Sequence, residues 1–511
     1  MYLGFDSSTQ SISAIILSAL GEIVAEHSVN FGARLPEFAA PSGFIPGGEK
    51  GEVHADPQMW LAALDLLLAE LAGKTDLAAI RAIGGSGQQH GSVYLDETFA
   101  ARLSGLQASQ GLREQLAPAL TRASSPIWMD TSTGEECAEM AAAVGGNAEV
   151  CRRTGSVAVE RFTGSQIRRF FKNNPAAYGK TAHIHLVSSF LCSVLAGKSA
   201  AIDFGDGAGM NLLNLSKLAW DENLCAATAD GLQEKLPSVA PAGTVVGGIS
   251  SYFVEKYGFA SDCKVGVFTG DNPASLVGMG ATTPGQVVIS LGTSDTFFAG
   301  MTEPHTDPRG FGHVFGNPGG GFMCLVCFRN GSLAREAMRD ELGVGWEAFD
   351  VESLQAMPPG NEGNIMLPFY GAEITPRRDF SGPVRRGSTA FMAGENPAAQ
   401  IRGLLEGQFV NMKHHTDWIG IQPQSIRLTG GASRNNGIAQ IVADVFQAPV
   451  ERLEIANSAA LGAAILGAVT DGKSMTEMQS LACRCAEGTL LEPSASSADA
   501  YDMAKFVALL G

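Results

Sequence analysis

Short apolar runs, separated by turn residues, open the chain. Tyr2-Leu3-Gly4-Phe5 is apolar, Ile12 to Leu17 is apolar and β-branched, and Ile23-Val24-Ala25 follows. The stretch Asp6-Ser7-Ser8-Thr9-Gln10-Ser11 and the pair Gly21-Glu22 lie between them as turns. The pattern predicts three strands in a meander. The period then changes. Trp60 to Leu71 reads as a helix, with Asp56 as N-cap, Pro57 at the first position and Gly73 past the end. Ile80 to Gly84 is a short strand running into a glycine-rich turn. Alternating strands and helices predict an α/β fold. The opening recurs later: Gln286 to Leu291 is a strand and Gly292-Thr293-Ser294-Asp295-Thr296 its turn. Gly4 and Gly292 thus occupy matching places, which points to a duplicated domain. Thr282-Thr283-Pro284-Gly285 breaks the chain between the copies, so domains are expected at 1–280 and 281–511.

Composition narrows the class. There are 62 glycines in 511 residues, above the usual level of about 7%, with no Gly-X-Y period. Hydrophobic residues make up 45% and charged residues 17%, which excludes a disordered chain. The net charge is −17 and argues against broad binding of nucleic acid or membrane. It leaves room for a phosphorylated ligand, since backbone N–H groups can hold phosphate. Nine scattered cysteines form no disulfide framework, and a reducing compartment is expected. Cys324 and Cys327 form a C-x-x-C inside an apolar run and read as part of a buried strand. The N-terminus lacks a signal-peptide pattern and no 18-residue apolar run occurs, so a cytoplasmic protein is expected.

Several turns could carry chemistry. Gly467 to Ser474 fits the P-loop pattern but is rejected, because Ala456 to Leu466 reads as an alanine-rich helix where a strand is required. Gly472 then reads as the residue after that helix, and Ser474 with Glu477 as a capping box. The two hydroxyl turns, Asp6-Ser7-Ser8-Thr9 and Gly292-Thr293-Ser294, expose N–H groups and hydroxyls able to cradle phosphate; as residues alone they read equally as polar hairpin turns. Asp6 offers a hard oxygen suited to Mg²⁺ or its water shell. Leu428-Thr429-Gly430-Gly431-Ala432-Ser433-Arg434-Asn435 lies between the strand Ser425 to Leu428 and the helix Asn436 to Phe446, where backbone can approach a nucleotide. Gln88-Gln89-His90 sits in a glycine-rich turn, and its amides and imidazole suit a hydroxylated, uncharged ligand. Asp271 admits two readings: with Asn272 and Pro273 it could cap a helix, or it could be a general base for phosphoryl transfer. Arg161 reads as a surface ion pair and Trp346 as core packing when taken alone.

Together these motifs resemble the FGGY carbohydrate kinases of the actin-like ATPase superfamily, and within them the xylulose kinases of eukaryotic type. The likeness runs from about Tyr2 to about Gly467. Gln88-Gln89-His90-Gly91-Ser92, Glu160-Arg161-Phe162-Thr163-Gly164, Gly205 to Leu213, Gly270-Asp271-Asn272-Pro273-Ala274-Ser275 and Gly430-Gly431-Ala432-Ser433 carry it. The resemblance implies two RNase H-like domains flanking a catalytic cleft, and ATP-dependent phosphorylation of D-xylulose at its 5-hydroxyl. It implies Asp271 as catalytic base, with His90, Arg161, Asn272 and Gln89 at the sugar. It places Ser8, Thr9, Gly292 and Thr293 at the phosphates, Trp346, Gly431, Ala432 and Asn435 around the nucleotide, and Mg²⁺ at Asp6. The expected partners are a small sugar and ATP, with no nucleic acid and no membrane. Oligomeric state is left open, a homodimer included. Other ketose or polyol kinases of the family (ribulose, gluconate, glycerol) are the alternative, and an actin-like ATPase without a sugar pocket is a more distant one. Many family members carry a lysine within a Lys-Leu-x-Trp signature. Here that stretch is Gln166-Ile167-Arg168-Arg169-Phe170-Phe171, so roles of that lysine do not transfer.

Overall fold

A computed structural model describes residues 1–455 and 457–511. The chain forms two compact units. The first contains Met1–Thr282, Val314–Phe322 and a late stretch ending at Cys483; the second contains Thr283–His313, Met323–Ile455 and Arg484–Gly511.

The first unit is built on the predicted meander. Strands β1 (Tyr2–Ser7), β2 (Ser11–Leu17) and β3 (Ile23–Asn30) pair antiparallel in sequence, Phe5 opposite Ala14 and Ala14 opposite His27. Helix α1 (Pro57–Ala72) starts as its sequence requires, with Asp56 accepting a hydrogen bond from Gln58 N at 2.8 Å and Pro57 first. It buries Trp60, Leu64, Leu67 and Leu71 in the core that contains Phe5 and Ile12. β4 (Ala82–Gly87) then pairs parallel to β1, and β5 (Lys264–Gly266) pairs parallel to β4. Between them lie α2 (Thr163–Asn173) and the short α3 (Phe204–Ala208), and after them comes α4 (Asp271–Gly278).

The second unit repeats this order. β6 (Gln286–Leu291) pairs antiparallel with β7 (Asp295–Met301), and β8 (Phe322–Phe328) lies beyond β7. After α5 (Ser332–Leu342), β9 (Ser425–Thr429) pairs parallel to β6; then α6 (Asn436–Phe446) leads to β10 (Val450–Arg452), parallel to β9. Apart from the strands Val245–Gly248, Thr269–Gly270 and Gly312–Gly316, both sheets therefore read third, second, first, fourth, fifth of the strands named above. The duplication inferred from Gly4 and Gly292 is a duplication of topology, although Gly4 lies inside β1 and not in its turn. Cys324 and Cys327 lie in β8 as expected, and neither forms a disulfide among the described residues.

Helix α7 (Ser458–Thr470) follows β10 in sequence and packs in the first unit. Ala456, read as the start of this helix, lies outside the described residues. Gly467 and Ala468 are helical, Gly472 has φ +93° and Ser474 caps the next helix, so the P-loop pattern here is coincidental. α7 lies against backbone with no room for side chains. A Cβ on Gly4 would stand 2.1 Å from Ala464 N, one on Gly84 2.1 Å from the Ala463 carbonyl, and one on Gly462 1.8 Å from the Ala274 carbonyl. Part of the glycine excess is thus a packing requirement of one helix on β1, β4 and α4.

Candidate active site

All the expected acceptor-side residues lie in the first unit. The turn after β4 holds His90 at φ +73°, a left-handed backbone that a histidine rarely adopts. Its ring is fixed on several sides. Nδ1 is 2.7 Å from the Gly209 carbonyl, and Phe162 stacks on the ring at 4.2 Å between centroids. The Thr163 hydroxyl donates to the His90 carbonyl at 3.0 Å. A carbonyl cannot donate, so Nδ1 carries the proton; in the neutral ring Nε2 is then an acceptor. The Arg161 guanidinium lies 5.8 Å from the Phe162 ring, on the turn that precedes α2. The structure therefore brings Arg161, Phe162 and His90 together, from positions about 70 residues apart in sequence.

Asp271 is the first residue of α4, whose N-cap is Gly270 and whose third residue is Pro273. Neither Asp271 nor Asn272 is the cap, which corrects the capping reading. Asp271 Oδ1 accepts from Asn272 N at 2.8 Å, from Asn272 Nδ2 at 3.1 Å and from Gln89 N at 3.4 Å. No hydrogen bond to Oδ2 is formed among the described residues, so this oxygen is the one able to accept a proton from a ligand. Burial and the neighbouring Asp6 carboxylate push Asp271 up to about 7. Gln89 is buried, its Oε1 engaged by Asn272 Nδ2 at 2.8 Å and its Nε2 directed to the Gly205 carbonyl at 3.4 Å. Its side chain holds Asn272 and α3 in place.

Asp6, next to last in β1, lies beside β4, where the Ser86 hydroxyl donates to its Oδ1 at 2.7 Å. Burial raises it to about 6. Its turn is less open than the sequence suggests. The Ser8 hydroxyl donates to the Ser11 carbonyl at 3.0 Å, and the Thr9 hydroxyl accepts from the indole of Trp128 at 2.8 Å. Asp6 is a single hard carboxylate, and no cluster of three ligating side chains occurs among the described residues. That donor set suits a Mg²⁺ ion held mainly by water and nucleotide phosphates.

Beneath the turn lies a buried acidic pair that the motif reading left without roles. Asp203 caps α3, accepting from Gly205 N at 2.9 Å and Asp206 N at 2.8 Å, and also from the Thr269 hydroxyl at 2.9 Å. Ser188 donates to Asp206 Oδ2, while Oδ1 is buried without a partner. Gln88 is likewise buried with neither end of its amide bonded. Burial raises Asp203 to about 6, and burial with the Asp203 charge raises Asp206 well above the carboxylate range. The pattern Asp203-Phe204-Gly205-Asp206 was the only sequence signal for this pair.

The nucleotide candidates lie in the second unit. Gly292 to Ser294 joins β6 to β7, with Thr293 exposed, and the Gly292 carbonyl accepts from Ser332 N at the start of α5 at 3.0 Å. Gly430 has φ +86°, and a Cβ there would stand 2.5 Å from the Leu291 carbonyl. Gly431 and Ala432 begin a single 3-10 turn, and nothing lies within 4 Å of a Cβ on Gly431. Asn435 caps α6 through Ile438 N at 3.0 Å and also donates to the Phe349 carbonyl at 2.9 Å. That bond ties the Trp346–Phe349 turn to the glycine turn. Trp346 is not core: 46% of its surface is exposed, with the Arg339 guanidinium 4.6 Å from its ring.

These two units have the two-domain α/β architecture of sugar kinases. The N-terminal domain of the FGGY family of carbohydrate kinases matches residues 1–278, and the family's C-terminal domain matches residues 287–470. The chain belongs to this family. It is 42% identical over 470 residues to a xylulose kinase of Rattus norvegicus, covering 90% of this chain and 87% of that one. It is 40% identical over 486 residues to xylulose kinase 2 of Arabidopsis thaliana, covering 92% and 87%. A solved xylulose kinase from Rhodospirillum rubrum has the same fold, with a TM-score of 0.82 at 22% identity over 99% of this chain and 98% of that one.

Proposed function

We propose that the protein transfers the γ-phosphoryl group of ATP to the 5-hydroxyl of D-xylulose. The observation that carries this reading is the carboxylate of Asp271, with Oδ1 tied down, Oδ2 unengaged and a proton affinity near neutrality. A base of that strength takes a proton well at physiological pH. The substrate hydroxyl gives its proton to Asp271 Oδ2, its oxygen attacks the γ-phosphorus, and ADP leaves. His90 Nε2, Arg161 and Asn272 are the groups we assign to the sugar hydroxyls, with Gln89 positioning Asn272. We assign Ser8, Thr9, Gly292 and Thr293 to the phosphates, and Gly431, Ala432, Asn435 and Trp346 to the nucleotide. Asp6 is the carboxylate we assign to Mg²⁺, directly or through water; the ion when bound neutralises phosphate charge. Support for D-xylulose as acceptor comes from relatives named as xylulose kinases at about 40% identity over most of the chain.

The test is ADP release with and without D-xylulose, set against a panel of ketoses, alditols and sugar acids at saturating ATP. Sugar-dependent release that is fastest with D-xylulose is expected; sugar-independent release would overturn the reading. Asp271→Asn should still bind the sugar and turn over at least ~10²-fold more slowly. In the unaltered enzyme, kcat/KM should climb through an apparent pKa of about 7, because protonated Asp271 cannot accept the hydroxyl proton. A flat profile between pH 5.5 and 8 would remove Asp271 as the base.

A further inference from the structure

A cavity of about 370 Å³ opens in the first unit, lined by Arg122, Arg169, His54, Ser124, Asn173 and Asn174 among others. None of these residues belongs to the candidate active site. Arg122 lies against the rings of Tyr94 and Phe170, its guanidinium carbon 5.1 and 4.9 Å from their centroids. It forms no ion pair or hydrogen bond among the described residues, and its Nη1 is buried without an acceptor. A desolvated guanidinium N–H without an acceptor is costly, and in a chain of net charge −17 the lack of an ion pair to Arg122 among the described residues is conspicuous. Arg169 lines the same cavity, bonded through Nη2 to Glu52, the one acid of the lining, at 2.9 Å and through Nη1 to the Ser132 carbonyl at 3.5 Å. His54 is clamped between the Ser124 hydroxyl at 2.9 Å and Asp130 at 3.4 Å.

The remaining N–H donors of Arg122, which make no hydrogen bond among the described residues, match a phosphate dianion, and Arg169, already bonded to Glu52 and to the Ser132 carbonyl, adds positive charge to the same lining. Asn173 and Asn174, at the end of the same helix α2 that carries Arg169, add side-chain amides able to pair with hydroxyls. We propose that this cavity binds a phosphate dianion, free or carried on a small polyol, with the phosphate at Arg122 and Arg169 and any hydroxyls toward Asn173 and Asn174.

The test follows the His54 ring resonance of histidine-labelled protein, assigned with His54→Gln, while D-ribose 5-phosphate, inorganic phosphate or D-ribose is added. Saturable shifts with either phosphate and none with D-ribose are expected. Tighter binding of D-ribose 5-phosphate marks the carried form, and equal binding the free ion. Arg122→Gln should weaken binding at least about tenfold, with kinase turnover within about twofold of the unaltered enzyme. If Arg122→Gln does not fold, Arg169→Gln carries the same expectation. An unmoved His54 resonance, or an unchanged dissociation constant in a folded variant, overturns the proposal.

Discussion

At the scale of single residues, the candidate site is ordered by what each polar atom already does. His90 combines a left-handed backbone with a ring that is both stacked and hydrogen-bonded. Such a conformation costs of order 1 kcal/mol and persists only where the surroundings enforce it. His90→Ala removes the stack and the ring acceptor but keeps the strained backbone. We expect it to raise KM for the sugar at least about tenfold while changing kcat less, and to melt below His90→Asn, because asparagine tolerates left-handed φ better. Steady-state kinetics and thermal melts of the two variants check this. A His90→Ala enzyme with unchanged KM would place the histidine in packing alone. The motif Gln88-Gln89-His90 was legible in the sequence as polar groups on a glycine-rich turn. Its division of labour was not: Gln89 turns its amide to Asn272 and Gly205, and only the folded contacts between segments 183 and 116 residues apart show it.

At the scale of elements, the strands and helices that frame the site were legible because their signals are local. β6 and α6 fall on their predicted bounds, and α1 begins at its predicted cap. What local pattern could not carry was the reason for several glycines. Gly4 reads as a turn glycine, Gly84 as the start of a glycine-rich turn and Gly462 as part of an alanine-rich helix, whereas they are where α7 meets other backbone. Two effects compete in Gly462→Ala. Alanine favours an exposed helix interior by about 1 kcal/mol, but the added carbon would meet the Ala274 carbonyl oxygen at 1.8 Å. Forcing the backbones apart costs typically about 1–3 kcal/mol, so the clash should win. A lower melting temperature is expected, and a higher one would show that α7 is free to shift.

At the scale of the whole molecule, buried acids and buried histidines pull the pH dependence of stability in opposite directions. Asp6, Asp203, Asp206 and Asp271 all have raised proton affinity. Above about pH 4 the folded chain keeps protons that the unfolded chain has released, so these groups make stability fall as pH rises. His185 and His415 are lowered to about 3 and about 4 by burial. They make stability rise with pH up to about 6.5, where the unfolded histidines finish titrating. The total is therefore shallow, and a single substitution is needed to expose one part of it. Asp206→Asn removes one raised acid and keeps an acceptor for Ser188. Its stability relative to the unaltered protein should improve with rising pH, by up to about 1.4 kcal/mol per unit between pH 5 and 8. Paired melts across that range check the sign, and a constant difference would mean that Asp206 is ionised in the fold.

The place of α7 in the sequence has a further consequence, for the order in which the chain can mature during translation. The sheet of the first unit is complete once Gly270 has left the ribosome, yet the helix that lies on Gly4 and Gly84 is encoded some 190 residues later. Until then the backbone groove that receives α7 stands open, and the nascent first unit must wait through synthesis of almost all of the second. A fragment ending at residue 280 should therefore be protease-sensitive and prone to aggregate. Adding a synthetic peptide spanning 457–483 should restore a protected core, and a fragment that resists proteolysis alone would show that α7 arrives on a unit already folded.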